Sequence, residues 1–205
     1  AINYREIYEE LDSLVLAVYM PSSYVHPSKM EKYAKMGGGG NLTLSGRETG
    51  VRRLMTTNLL KRLESSACSF RLTLERVLAA MNAALETIDD YRRGLASGAS
   101  VADGDLPGGF DFDPDDESGF EVGGTTKILV EDMDWMSWER DIEADVAIIE
   151  VLISMVCDID PTHDAKLIEL CEQIREKSQG PINPGNRKVL VFTAFSDTAD
   201  YLYEN

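Results

Sequence analysis

The chain has no run of 18 or more apolar residues, so nothing in its 205 residues reads as a membrane-spanning helix. No basic segment followed by an apolar one opens it, so no secretory leader is recognisable. Cysteine is scarce: Cys68, Cys157 and Cys171 are odd in number and form no CxxC pair. That argues against a disulfide framework and a spelled-out zinc site, and predicts a reducing, cytoplasmic setting. Only two histidines occur, His26 and His163, and neither belongs to a triad pattern. His163 reads as a surface residue in the first turn of a helix. No Gly-x-x-x-x-Gly-Lys-Ser/Thr loop is present. Gly37–Gly40 lacks the following lysine and hydroxyl, so it reads as a flexible link, not a phosphate cradle. GxSxG and HExxH are missing as well. Asp111, Asp113, Asp115 and Glu117 alternate, but Pro114 interrupts them and the Gly and Glu of a calcium loop are lacking. These absences predict no catalytic residue, no metal site and no cofactor within this chain. A start at Ala1 without Met, and a stop soon after an apolar run, predict a piece of something longer.

What is present is charge, unevenly placed. The net charge is −16. Residues 99–160 hold 18 acids and two bases, which equals the whole excess. Residues 1–98 carry a net of +2 and residues 161–205 a net of −2. Between Arg47 and Arg76 seven bases face three acids. A low overall pI therefore does not exclude a nucleic-acid partner for one helical unit.

Helical periodicity dominates. Tyr4, Ile7, Tyr8 and Leu11 predict a helix over 3–12, and a brief helix follows Pro27 over 28–36. Leu14 to Met20 is compact and apolar, either a strand or a buried helical turn. Ser45 with Glu48 spells a capping box ahead of the stripe Val51, Leu54, Met55, Leu59 and Leu63. A second long helix starts near Ser66, with Phe70, Leu74, Val77, Met81, Leu85 and Ile88 inward and Gly94 as its stop. The two helices are continuous or a tight pair. Residues 95–124 are rich in Gly, Asp, Ser and Pro and predict a solvated acidic loop. Lys127 to Val130 is a short apolar patch. Asp134 or Ser137 caps a helix running to about Asp158, apolar on most sides. Asp160-Pro161 predicts the start of the next helix, which ends by Gly180. Pro181 to Asn186 reads as a turn. Val189 to Thr193 then predicts a fully buried strand of parallel-sheet type, followed by a helix from Asp197 to Glu204. Trp135 and Trp138 read as packing residues.

Arg52, Arg53, Lys61, Arg62 and Arg71 are the candidate nucleic-acid contacts, placed to neutralise backbone phosphates. The bland alternative is a solvated helix face.

The tail Lys188-Val189-Leu190-Val191-Phe192-Thr193-Ala194-Phe195, then Asp197-Thr198-Ala199, resembles the opening of the second RecA-like domain in Snf2-type superfamily 2 helicases. There a buried strand ends in helicase motif IV. Asp164-Ala165-Lys166-Leu167 resembles the segment leading into that domain. Asn58 to Ser66, followed by Phe70, resembles the helical segment between the two motor lobes of bacterial Snf2-like helicases. The three segments come in the family's order. The resemblance implies a parent that is a nucleic-acid-dependent ATPase or helicase, with ATP and Mg bound by lobes outside this chain. It also implies that Thr193 and Phe195 lie near the nucleic-acid backbone.

The expected fold is therefore mostly α, an elongated multi-helix bundle with one or two short strands. Its C-terminal end is expected to be the first β-α unit of a truncated RecA-like lobe. The expected divisions are a basic helical region at 1–94, an acidic loop or linker at 95–136, a helical pair at 137–180 and the start of the helicase C-terminal domain at 181–205. Expected partners are DNA or RNA, the missing lobes, and a second copy through an exposed C-terminal strand. The competing function is a helical protein-interaction module whose acidic loop docks a basic partner.

Overall fold

The computed structural model describes residues 4–34, 44–94, 100–102 and 127–205. Among them the helices are α1 (Tyr4–Ser13), α2 (Met30–Ala34), α3 (Leu44–Ser65), α4 (Ala67–Arg92), α5 (Trp135–Val156), α6 (Ala165–Gln179) and α7 (Ser196–Glu204). One small antiparallel ladder joins β1 (Ser100–Ala102) to β2 (Lys127–Leu129), with Val101 opposite Ile128. Residues 100–102 thus form a strand where a solvated loop is expected. The remainder of 95–124 lies outside the described residues, as does Gly37–Gly40.

The core follows the apolar stripes. Val51, Met55, Leu59 and Leu63 of α3 are buried, as are Phe70, Leu74, Val77, Met81 and Ile88 of α4. Helix α4 packs against both α3 and α5, and α5 contributes Trp138, Ile142, Ile149, Leu152 and Val156. Ile7 and Leu11 bring α1 into the same core, while Tyr4 and Tyr8 face solvent. The expected four-residue stripe on α1 is therefore only half used.

Ser66 breaks α3 from α4. Its backbone is extended and its hydroxyl accepts from Ser69 N at 3.0 Å, which caps α4. The two helices are thus a tight pair with a one-residue hinge. Ser66→Ala is expected to cost about 1 kcal/mol in a urea melt, through loss of that cap. At the far end, Gly94 stops α4 with φ +68, a conformation that favours a residue without Cβ.

The capping box does not form. Glu48 is buried and its carboxylate instead accepts from Ser22 N at 2.8 Å and Ser22 Oγ at 2.5 Å. A tertiary partner outcompetes the local one, and α3 begins earlier, at Leu44. Leu14 to Met20 resolves as a short 3-10 turn at Ala17–Tyr19. Leu16 before it is left-handed (φ 55), which costs energy in a residue with a Cβ. A buried carboxylate holds it there: Asp145 accepts from Val15 N and Ala17 N, both at 2.8 Å. Trp138 Nε1 donates to Ala17 O at 2.9 Å, so this tryptophan both packs and clamps the turn.

A second buried acid, Asp132, ties the segment 29–33 to the turn after β2. Asp132 pairs with Lys29 and Lys32 and accepts from the Tyr33 hydroxyl at 2.6 Å. Lys32 foremost, then Tyr33, holds its carboxyl well below the usual range. Farther on, α6 starts at Ala165, later than Asp160-Pro161 suggests. The Asp160 carboxylate is taken up by Thr162 N, Thr162 Oγ1 and His163 N in a turn, and Asp164 caps the helix.

The expected C-terminal β-α unit is overturned. Residues 196–204 form helix α7, but Val189–Thr193 is not a strand. No backbone group of that run pairs with another described residue, and Leu190 and Phe192 are more than four-fifths exposed. A buried strand needs neighbours for its N–H and C=O groups, and the described ladder joins β2 to β1 without this run. Among the described residues no helix is long and apolar enough to cross a membrane.

Candidate functional site

Two segments more than a hundred residues apart meet at one carboxylate. Asp197, in the first turn of α7, receives Arg62 Nη1 at 2.6 Å. Arg76 grips it with both terminal nitrogens, at 2.8 and 2.9 Å. This is a bidentate, charge-assisted pair with a second guanidinium added. Arg62 has no exposed surface at all. Its side chain also reaches Asn58 Oδ1 at 3.2 Å and Ser69 Oγ at 3.1 Å, and lies 4.6 Å over the Phe195 ring. Arg76 first, with Arg62, holds the Asp197 carboxyl below the usual carboxylate range against the burial that opposes them.

Hydroxyls complete the junction. Thr198 lies 2.9 Å from Ser65 Oγ and 3.3 Å from Ser66 Oγ, at the hinge between α3 and α4. The Tyr201 hydroxyl donates to Asp164 at 3.0 Å, which ties α7 to the cap of α6. Burial, then Asp164, pushes the Tyr201 pKa up, so it stays a donor. Lys166 donates to Glu64 O at the end of α3. The site therefore fastens α7 to the hinge and to α6. Chemically it can hold, since its acid is locked between two guanidinium groups.

The sequence-derived candidates divide. Arg62 and Phe195 sit inside the junction; with no exposed surface, Arg62 cannot reach a phosphate, and Phe195 is buried. Thr193 is exposed and its Oγ1 accepts from Phe195 N at 3.3 Å. Arg71 lies 4.0 Å from Glu75 on the α4 surface. Lys61 is exposed. Arg52 and Arg53 stand together on another face of α3, where half-buried Arg52 donates to Leu14 O at 3.3 Å. Beside the junction, a cavity of about 910 Å³ is lined by residues that include Leu63, Met155, Ile159 and His163. Among the described residues no cluster of His, Cys, Asp or Glu could hold a metal ion.

Asp197, Arg76, Asn58 and Ser69 were not among the candidates. One signal points to them. Arg62 follows Met55 by seven residues and Leu59 by three, so it lies on the apolar stripe of α3. A cation on a core-facing stripe needs a buried acid.

No family model, curated protein or solved structure matches the chain.

Proposed function

We propose that this chain is the helical region linking the lobes of a Snf2-like nucleic-acid-dependent ATPase. In this reading it carries the segment that resembles helicase motif IV and has no ATP hydrolysis of its own. One observation supports it. Two of the three segments that carry the resemblance, Asn58 to Ser66 and Lys188 to Ala199, join through Asp197 and Thr198. In this reading the pairs of Asp197 with Arg62 and Arg76 tie the C-terminal segment to both α3 and α4, on either side of Ser66. ATP and Mg belong to the lobes in this reading.

The test is ATP hydrolysis by the protein with its flanking sequence in place. Duplex DNA is expected to stimulate it at least tenfold, and this chain by itself is expected to show none. Hydrolysis that duplex DNA leaves unchanged overturns the reading. The exposed Ile182, Leu190 and Phe192 favour a second reading, a helical protein-interaction module, which predicts no such stimulation.

A further inference from the structure

We infer that a groove between α1 and α3 is a phosphate-backbone contact for nucleic acid. This rests on the nucleic-acid reading above and assigns it to a particular helix face. Thr49, Arg52, Arg53, Thr56 and Thr57 follow one another at i, i+3, i+4, i+7 and i+8, so they share one side of α3. They line a groove of about 290 Å³, and their face runs about 12 Å along the helix.

The chemistry of this face is two guanidinium groups among three hydroxyls. Arg62 and Arg76 are committed to Asp197, and Arg71 lies against Glu75. Arg53 differs: it is exposed, and no acid or acceptor among the described residues engages it. Such a free fork fits a phosphate oxygen pair. The hydroxyls of Thr49, Thr56 and Thr57 donate to the carbonyls four residues back, at 2.8, 3.2 and 3.0 Å. Within the helix those carbonyls also accept from the backbone, so each hydroxyl can turn to an incoming phosphate at small cost. Arg52 adds charge at the inner edge, where one guanidinium nitrogen, Nη2, donates to Leu14 O. Asp12 also lines the groove and opposes an anion. That carboxylate sets a second, opposite-signed expectation.

The experiment is fluorescence anisotropy of this chain with a labelled duplex of about 20 base pairs, titrated from about 20 to 150 mM salt. Arg53→Glu is expected to weaken binding about tenfold and to lower the slope of log affinity on log salt by about 1. Asp12→Asn is expected to tighten binding, and Arg71→Glu to leave it near wild type. Absent binding at the lowest salt, or unchanged affinity in Arg53→Glu, overturns the groove. An equal loss in Arg71→Glu also overturns it, because attraction would then be diffuse. Far-UV circular dichroism checks that the surface variants stay folded. If the groove fails while duplex DNA still stimulates ATP hydrolysis by the protein with its flanks, only this contact falls and the proposed function stands.

Discussion

Asp197→Ala is expected to lower stability by about 3 kcal/mol at pH 7 and to release α7 from the bundle. Removing one partner of a buried ion pair costs more than the pair contributes, because it strands the other charge. Here the stranded group is Arg62, which has no surface in contact with water. Arg76 also loses both of its carboxylate bonds. Urea unfolding measures the loss, and amide exchange localises it to 196–204. A variant within 0.5 kcal/mol of wild type, with α7 still protected, would remove the junction as the fastening. Proton linkage gives an independent check. The folded pKa of Asp197 lies below its ordinary value, so its contribution is complete above about pH 4 and is lost as pH falls through the lowered folded value. Asp132 and Asp160 are depressed too, so wild type and Asp197→Asn both weaken in acid. The difference between them is expected to shrink between pH 7 and pH 3.

Asp145→Ala is expected to be comparably costly, at about 3 kcal/mol, for a different reason. Asp145 is buried and serves as the acceptor for two backbone N–H groups around the left-handed Leu16. Alanine leaves the buried Ala17 N–H without an acceptor, at about 1–3 kcal/mol, and removes the acceptor of the part-buried Val15 N–H as well. It also frees Leu16 to leave a conformation that its Cβ disfavours. The Ala17 carbonyl that receives Trp138 Nε1 then shifts. Burial pushes the Asp145 pKa up, opposed by the donors from Ala17 and Val15, so its carboxylate depends on those bonds. Thermal unfolding and near-ultraviolet circular dichroism of Trp138 read the two effects together. Retained tryptophan asymmetry with an unchanged melt would show that the turn holds without the carboxylate.

Both acids explain how much was legible. Helices α3, α4 and α5 were readable because their apolar residues recur with the helical period and because packing agrees with it. The break at Ser66 and the stop at Gly94 were readable as local chemistry. Asp145 and Asp197 were not, since their partners lie 121 to 135 residues away. Glu48 shows the same limit from the other side: its local pattern spells a cap, yet Ser22 takes its carboxylate. The strand expected at Val189 to Thr193 failed for a related reason. Its composition favours pairing, but among the described residues no strand pairs with it.

Composition and periodicity by themselves determined a chiefly helical chain, the concentration of negative charge at 99–160, and a basic stretch at 47–76. Those properties are sums or short-range repeats, and a sequence displays them directly. The tertiary structure alone decided which bases stay available. It turned Arg62 and Arg76 inward onto Asp197 and left Arg53 facing solvent. Charge can be counted along a chain, whereas its cost and its use depend on burial and on partners that only folding brings within reach.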